Sequence, residues 1–456
     1  MAQPAFRNVL LLGAGHGHLD LMKHLNELTG QGVRVTVVSP EPIGLYSGMI
    51  PGLLGGRYDR AAVSLPVREI VEQAGGSFVE DVVIGIEAST RTVRLASGRE
   101  LSWDVLSVAM GSVVATDRLP EVEGGPADGV FPVKPFANLE AARDRVRELL
   151  ATRDARAVVV GGGPAAVEIA GNLARLGREA ARAGTTDTTG GSAHGTGTTD
   201  TTGGTAHGTG TTDTTRGPAH GTGTTDTTGG SAPGADTTGS RGRLEVALVC
   251  GGEPLARFSG SCRRRALMAL QRDGVLLCRG PRARHVSPGR VVLADGYEEH
   301  ADVIILAPGV TPPPILAASG LPTAADGALV IDAAMRVSTD PPVFAAGDSS
   351  HLEGRPLARI GAHALRGGKA LRRNLIELVL LGEVNRPARY APRRGIFLAL
   401  NMGNGRAAAC FQGASLFGRW VFALKEHIDT TFMRNTRRRL ENRGTDVKRR
   451  QSVAGQ

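Results

Sequence analysis

Gly13 and Gly15, in the run Gly13-Ala14-Gly15-His16-Gly17-His18, close the apolar stretch Val9–Leu12 and precede a helical pattern. Gly161 and Gly163, in Gly161-Gly162-Gly163-Pro164-Ala165-Ala166, do the same after Ala157–Val160. In each pair the first glycine permits a tight turn and the second lets backbone approach a pyrophosphate. The helix that follows offers free N–H donors and the positive end of its dipole. Two such turns in one chain predict two dinucleotides facing each other. His18 takes the third glycine position of the first turn, whereas Ala166 is a permitted small residue in the second. Where an acid would hold a ribose in the first unit the chain reads Ser39-Pro40, with Glu41 following. In the second, Cys250-Gly251-Gly252-Glu253 makes Glu253 a loose candidate, and nearby Arg257 suits a 2′-phosphate, so NADH or NADPH stays open with the lean to NADH.

These turns need strands behind them. Asn8–Leu12, Leu19–Leu28 and Val33–Val38 read as strand, helix and strand, a βαβ unit whose right-handed crossover makes the strands parallel. Short strand-like pieces follow at Val82–Ile86, Arg91–Leu95 and Glu100–Leu101, with a turn signal at Ser97-Gly98. Asp104 then opens an apolar run stopped by Gly111-Ser112, and Asp302 opens a parallel run stopped by Ala307-Pro308-Gly309. The pattern predicts helices over Asn138–Leu150 and 165–183, with a strand at Leu244–Val249. Val343–Ala346 leads into Gly347-Asp348, whose carboxylate could accept hydrogen bonds from a ribityl chain. A helical stretch covers Ala362–Leu380. A third region beyond Pro387 holds strand-like Phe397–Asn401 and Arg406–Cys410, then helical spacing over Phe417–Met433.

Composition limits what else the chain does. Residues 184–240 are rich in Gly and Thr and repeat every 13 positions, with Asp187, Asp200, Asp213 and Asp226 in register. Almost nothing there is apolar, so the tract is expected to stay without fixed structure in a surface loop, and its His194, His207 and His220 are not expected to hold a metal. The four cysteines, Cys250, Cys262, Cys278 and Cys410, have no metal-ligand or CxxC spacing and fit free thiols in a reducing cytoplasm. No apolar run reaches the ~18–20 residues that span a bilayer, and no signal-peptide core precedes the first strand. The net charge of +9 is concentrated beyond Arg434. With 4% aromatics and no nucleic-acid motif, that tail suits anionic lipid rather than nucleic acid.

The order of these segments resembles the two-dinucleotide-domain flavoproteins, a fold shared by glutathione-reductase-like enzymes and type II NADH dehydrogenases. Closer still is a branch of NADH-dehydrogenase-like FAD oxidoreductases associated with selenide,water dikinase. Its hallmarks here are Gly13–His18, Tyr46-Ser-Gly-Met-Ile-Pro-Gly52, Phe344-Ala-Ala-Gly-Asp348, Phe397–Leu400, Gly418–Lys425, Ile428-Asp429 and Phe432-Met433. The resemblance implies an α/β fold of two Rossmann-like domains with a C-terminal α+β extension. It divides the chain into an FAD domain (1–120 with 333–386), an NAD(P)H domain (121–332, carrying the insert), an interface or membrane-proximal region (387–433) and a basic tail (434–456).

By the same resemblance FAD rests on Gly13, Gly15, His18, Ser39, Val82 (through its backbone), Gly111, Gly347 and Asp348. NADH or NADPH rests on Gly161, Gly163 and Gly309. Glu168 lies near the nicotinamide, and Met49 and Pro51 lie close to the isoalloxazine. No cysteine falls in the first 249 residues, so the disulfide-reductase chemistry of the superfamily is excluded. The activity implied is hydride transfer from NAD(P)H to flavin, then electron transfer to a quinone or other acceptor. Where type II dehydrogenases carry a glutamine-rich motif this chain has Gly361-Ala-His-Ala-Leu-Arg-Gly-Gly368, leaving the acceptor open. Phe417, Trp420, Val421, Leu424, Ile428 and Phe432 recur at helical spacing, so peripheral membrane contact through 416–450, on the inner face of the plasma membrane, stands beside packing within the protein. A homodimer is also open. Two other activities compete: a flavin-binding redox partner or sensor without turnover, and a sulfide:quinone oxidoreductase-like enzyme, which would need two cysteines flanking the flavin.

Overall fold

The computed structural model describes residues 3–119, 121–186, 242–392, 397–411 and 414–454. Asn8–Leu12 is buried almost throughout and lies mid-sheet, where a strand covered on both faces must be apolar along its length. Its sheet runs Arg336–Thr339, Pro342–Ala345, Val105–Val108, Asn8–Leu12, Arg34–Ser39 and Ser77–Glu80. All neighbours are parallel except the antiparallel edge strand Arg336–Thr339. A second, wholly parallel sheet runs Val130–Pro132, Val303–Leu306, Ala155–Val160, Leu244–Cys250 and Val275–Arg279. The chain is thus an α/β fold with two Rossmann-like parallel sheets, as expected.

The two sheets are built on one plan. An antiparallel meander (Val83–Glu87, Thr92–Leu95, Glu100–Ser102) precedes Val105–Val108, and another (Ala283–Ser287, Arg290–Leu293, Glu298–His300) precedes Val303–Leu306. Asp104 accepts from the N–H groups of Arg7 and Asn8 at 3.0 and 2.8 Å, pinning the start of the first central strand. Asp302 does the same for Arg156 at 2.8 Å in the second.

Three elements differ from the pattern read in the sequence. The helix expected over Leu19–Leu28 is two short pieces, Leu19–Met22 and Asn26–Thr29. The ring Nδ1 of His24 bonds the Asp20 carbonyl at 2.7 Å, taking the acceptor that its own N–H would use in a continuous helix, and that N–H turns to Leu21 instead. The C-terminal sheet has a third strand, Ala414–Gly418, after Leu398–Asn401 and Ala407–Phe411. Phe417 therefore lies on a strand, and the helix begins at Arg419 and runs to Ala454. Most of the repeat tract lies outside the described residues. The helix Pro164–Thr186 leads toward it, and the chain returns with the Gly242 N–H on the Leu150 carbonyl at 2.8 Å.

One apolar core runs through both sheets, and a small cluster joins Ala399, Ala407 and Ala409 to Val421 and Phe422 of the C-terminal helix. No helix among the described residues is long and apolar enough to cross a membrane.

Candidate functional site

The two glycine-turn domains meet through their strand ends. Val113–Val114 pairs antiparallel with Val310–Thr311, and the Ala115 N–H donates to Gly309 at 3.0 Å. The loops that carry Gly111 and Gly309 are therefore stitched to one another.

The first turn is drawn tightly onto its sheet. A Cβ on Gly13 or on Gly15 would stand 2.6 Å from the Ala109 carbonyl, and one on Gly17 2.8 Å from Ala346 Cβ. Backbone cannot yield to such contacts, so these positions need glycine. His18 is fully buried, with Nδ1–H donating to the Gly13 carbonyl at 2.7 Å and Nε2 accepting from the Ser107 hydroxyl at 2.8 Å. Both ring nitrogens are thus used inside the chain, and burial drives its pKa down to about 4. His16, two residues earlier, has a buried Nε2 with no hydrogen-bond partner among the described residues. Burial lowers its pKa to about 4 as well, with Asp348 opposing and Lys134 reinforcing the shift. An orphaned donor or acceptor in this cradle is what a bound dinucleotide would satisfy.

Asp348 stands across from the turn. The Ser112 hydroxyl donates to it at 2.6 Å, and Lys134 donates to that same hydroxyl at 2.6 Å while lying 3.6 Å from the carboxylate. Lys134 follows the edge strand of the second sheet, so it crosses between domains; burial lowers its pKa. Sequence reasoning missed it, because an isolated lysine before a proline carries no spacing signal. The Gly111 carbonyl accepts from Ser349 at 3.0 Å, beside Gly347. Ser39 is buried at its strand end. Val82 is half exposed, and its N–H and carbonyl are already engaged by Asp81 at 2.7 Å and Ala96 at 2.8 Å.

The second turn is as tight at its first glycine, where a Cβ on Gly161 would collide with the Ala307 carbonyl, and opens only at Gly163. The Leu255 N–H donates to the Gly162 carbonyl at 2.8 Å, wrapping the loop after Cys250 around it. A Cβ on Gly163 would meet nothing within 4 Å. That leaves room beside the start of a long helix, which suits a pyrophosphate. One on Gly309 would meet Arg118 Nη1 at 2.6 Å, the yielding end of a long side chain.

Between the turns lies a polar network that local spacing could not foretell. Glu168, one turn into the second helix, accepts from the Asn401 N–H at 2.7 Å. Part of its side chain meets solvent, yet the carboxyl group is enclosed by protein, and this burial pushes its pKa up to about 7 against the pull of Lys425. Lys425 donates to the Gly48 carbonyl and to Asp429, each at 2.7 Å. Asp429 also accepts from the Tyr46 hydroxyl at 3.0 Å, and burial with this neighbour raises the Tyr46 pKa. The Tyr46 ring packs between His16 and Phe432, at centroid distances of 5.4 and 4.9 Å. Met49 and Pro51, both buried, open the short helix Ile50–Leu54 directly after Gly48. Tyr46, Met49, His16, Lys425 and Asp429 thus connect the first glycine turn to the C-terminal helix, and Glu168 brings in the second.

The cysteines stand apart from this network. Cys262 and Cys410 lie near Ser259 and Ser415, and burial pushes the Cys262 thiol up to about 12 and the Cys278 thiol up to about 11. Thiols so shifted are poor nucleophiles. Among the described residues no group of three or more His, Cys, Asp or Glu side chains is arranged to hold a metal.

A family model described as pyridine nucleotide-disulphide oxidoreductase matches residues 7–364, spanning both glycine turns and Asp348. The chain belongs to this family. Among curated relatives, the mitochondrial external NADH-ubiquinone oxidoreductase 2 of Saccharomyces cerevisiae is 28% identical over 185 residues, 37% of this chain and 33% of that protein. The chain spans about a third of the length of the curated relatives it matches. Among solved structures, NDH2 of Plasmodium falciparum in complex with NADH superposes with a TM-score of 0.71 at 12% identity, covering 97% of this chain and 98% of that one. The sulfide:quinone oxidoreductase of Aquifex aeolicus gives 0.67 at 14%, covering 95% and 92%. At these identities the superpositions show a shared fold. The disulphide of the family name has no counterpart near the first turn of this member, since no cysteine precedes Cys250.

Proposed function

We propose that this chain is an FAD-dependent NAD(P)H dehydrogenase that delivers electrons to a quinone-type acceptor. The observation that carries it is the cluster between the two glycine turns: Tyr46, Asp429 and Lys425 are joined by hydrogen bonds, and Lys425 acts electrostatically on Glu168 of the second helix. The names of the relatives, NADH- and NAD(P)H-ubiquinone oxidoreductases, support the same reading.

In this reading residues 1–120 and 333–386 hold FAD, with Gly13, Gly15, Ser39, Gly111, Gly347 and Asp348 as its contacts and His18 clamping the turn from behind. Val82 enters through the second lone pair of its carbonyl, since its N–H is held by Asp81. Residues 121–332 hold the nicotinamide dinucleotide on Gly161, Gly163 and Gly309. A bound flavin would supply hydride acceptance from the nicotinamide and two-electron donation onward. The protein supplies alignment and proton handling. The tight backbone around Gly13 and Gly15 fixes the cofactor, and Met49 and Pro51 exclude water from its ring face. Glu168, ionising near pH 7, holds or releases a proton where an acceptor needs one. Lys425 favours its charged form and Asp429 opposes it.

The exposed side chains Trp420, Leu424 and Ile428 fall at successive four-residue intervals on the C-terminal helix, beside a basic tail. That stripe supports peripheral membrane contact through 416–450, with the body of the chain in the cytoplasm. Val421 and Phe422 pack inward, and Phe432 stacks on Tyr46, so only part of the stripe read in the sequence is free.

The test is a visible spectrum of the purified protein followed by anaerobic titration with NADH and with NADPH. Bleaching by either, and recovery of colour on adding a soluble quinone, is the expected result. A yellow protein that ignores both nucleotides would be a redox sensor, and the proposal would fail.

A further inference from the structure

The loop after Leu244–Cys250 is where a Rossmann domain discriminates between a free ribose 2′-hydroxyl and a 2′-phosphate: an acid favours the first, and arginines accept the second. Here that loop is pressed against the second glycine turn. A Cβ on Gly162 would stand 3.3 Å from Cys250 Cβ and 3.5 Å from the Pro254 Cα. Glu253 is the acid in the loop, but arginines already engage it. Arg279 lies 3.4 Å and Arg263 3.7 Å from its two carboxylate oxygens.

Two of the basic groups come from a place the loop's own sequence does not reveal. Arg279 ends the neighbouring strand Val275–Arg279 and is the direct cross-strand partner of Cys250. Arg282, three residues on, folds back over Gly251, where any side chain would collide with it. Arg257 lies in the same loop, four residues beyond Glu253. Arg257, Arg279 and Arg282 are exposed, and among the described residues neither Arg257 nor Arg282 has an ion-pair partner. Arg263 and Arg279 thus flank the one carboxylate while Arg282 lies beside Gly251, leaving an excess of positive charge at the edge of the nucleotide cradle. Gly252, with nothing within 4 Å of its Cβ position, leaves the approach clear.

We propose that Arg279 and Arg282, with Arg257 at the rim, form a 2′-phosphate pocket that makes NADPH the preferred hydride donor. Glu253 then holds Arg263 and Arg279 in place instead of binding a ribose. The inference rests on the second turn binding a nicotinamide dinucleotide. Guanidinium groups are suited to this role because their planar donors meet phosphate oxygens in pairs.

The test uses the flavin-loaded protein and two probes, adenosine 2′,5′-bisphosphate and 5′-AMP, in calorimetric titrations. The bisphosphate is expected to bind at least about tenfold more tightly than 5′-AMP, a preference that shrinks as salt screens the arginines. Arg279→Gln with Arg282→Gln should remove on the order of tenfold of that preference while leaving 5′-AMP affinity and the visible spectrum unchanged. Glu253→Gln should leave bisphosphate binding equal or tighter. Equal affinity for the two probes, or equal weakening of both by the double variant, would overturn the pocket. Tight bisphosphate binding without bleaching by NADPH would instead sustain the pocket and sink the dehydrogenase reading.

Discussion

The two glycine turns share a topology but differ in how the chain is drawn around them. At the first, Ala109, Ala346 and the helix Gly361–Leu381 press against the backbone, His18 is bolted to Gly13 and Ser107, and glycine is demanded by main-chain atoms. At the second, Gly161 is held as closely by the Ala307 carbonyl, but Gly163 faces open space and most of the neighbouring loop, with its arginines, is exposed. A rigid, enclosed cradle suits a group that stays bound through many turnovers, whereas an open one suits a ligand that must leave after each. One plan used twice thus shares a closely held first glycine and differs at the second, which is enclosed by Ala109 in one copy and left open in the other.

The comparison can be broken most sharply at Gly15. Gly15→Ala puts a methyl group 2.6 Å from the Ala109 carbonyl, and a cost above about 3 kcal/mol is expected. The purified variant should carry almost no flavin by its absorbance ratio, and full flavin content would contradict the rigid-cradle account. Gly163→Ala meets no atom, so flavin content should be normal while nicotinamide dinucleotide affinity falls by on the order of tenfold as the methyl group intrudes on the pyrophosphate. If that variant lost flavin too, the two turns would not be independent.

Glu168 offers a smaller, pH-resolved effect. Its folded pKa of about 7 exceeds the ordinary 4.5, so between those values the folded chain holds a proton that the unfolded chain releases. Its contribution to stability therefore falls as pH rises through that window. Glu168→Gln should flatten the decline in Tm between pH 5 and pH 8 and remove an inflection near pH 7 from the rate of acceptor reduction. An unchanged Tm profile would place the titration elsewhere. Smallest of all, Trp420→Ala on the exposed stripe should shift stability by less than about 0.5 kcal/mol. Co-sedimentation with anionic vesicles should nonetheless drop, and undiminished sedimentation would remove Trp420 from any membrane contact.

What could be read in the sequence was whatever nearby residues enforce. The glycine turns were legible because tight turns and close approach leave few residue choices, and the strands because buried parallel strands are apolar at every position. Asp348 was legible from the Gly-Asp pair ending an apolar strand. The partners of these residues were not. Tyr46 and Asp429 are separated by 383 positions, and Glu168 meets Asn401 across 233. Lys425 and Asp429, four apart on one helix, carried the only local sign of a pair. Lys134 and Arg282 act through folding that brings a neighbouring sheet or strand alongside, which no spacing within their own segments encodes. The broken first helix turned on a single side-chain bond from His24.

The helix Pro164–Thr186 starts at the second glycine turn and ends where the repeat tract is attached. At ~1.5 Å per residue it sets that junction roughly 34 Å from the turn. Gain or loss of whole thirteen-residue units would therefore enter the chain at the far end of this helix from the turn. Natural variants differing in unit number should share one catalytic constant, much as a key works alike on rings of different size.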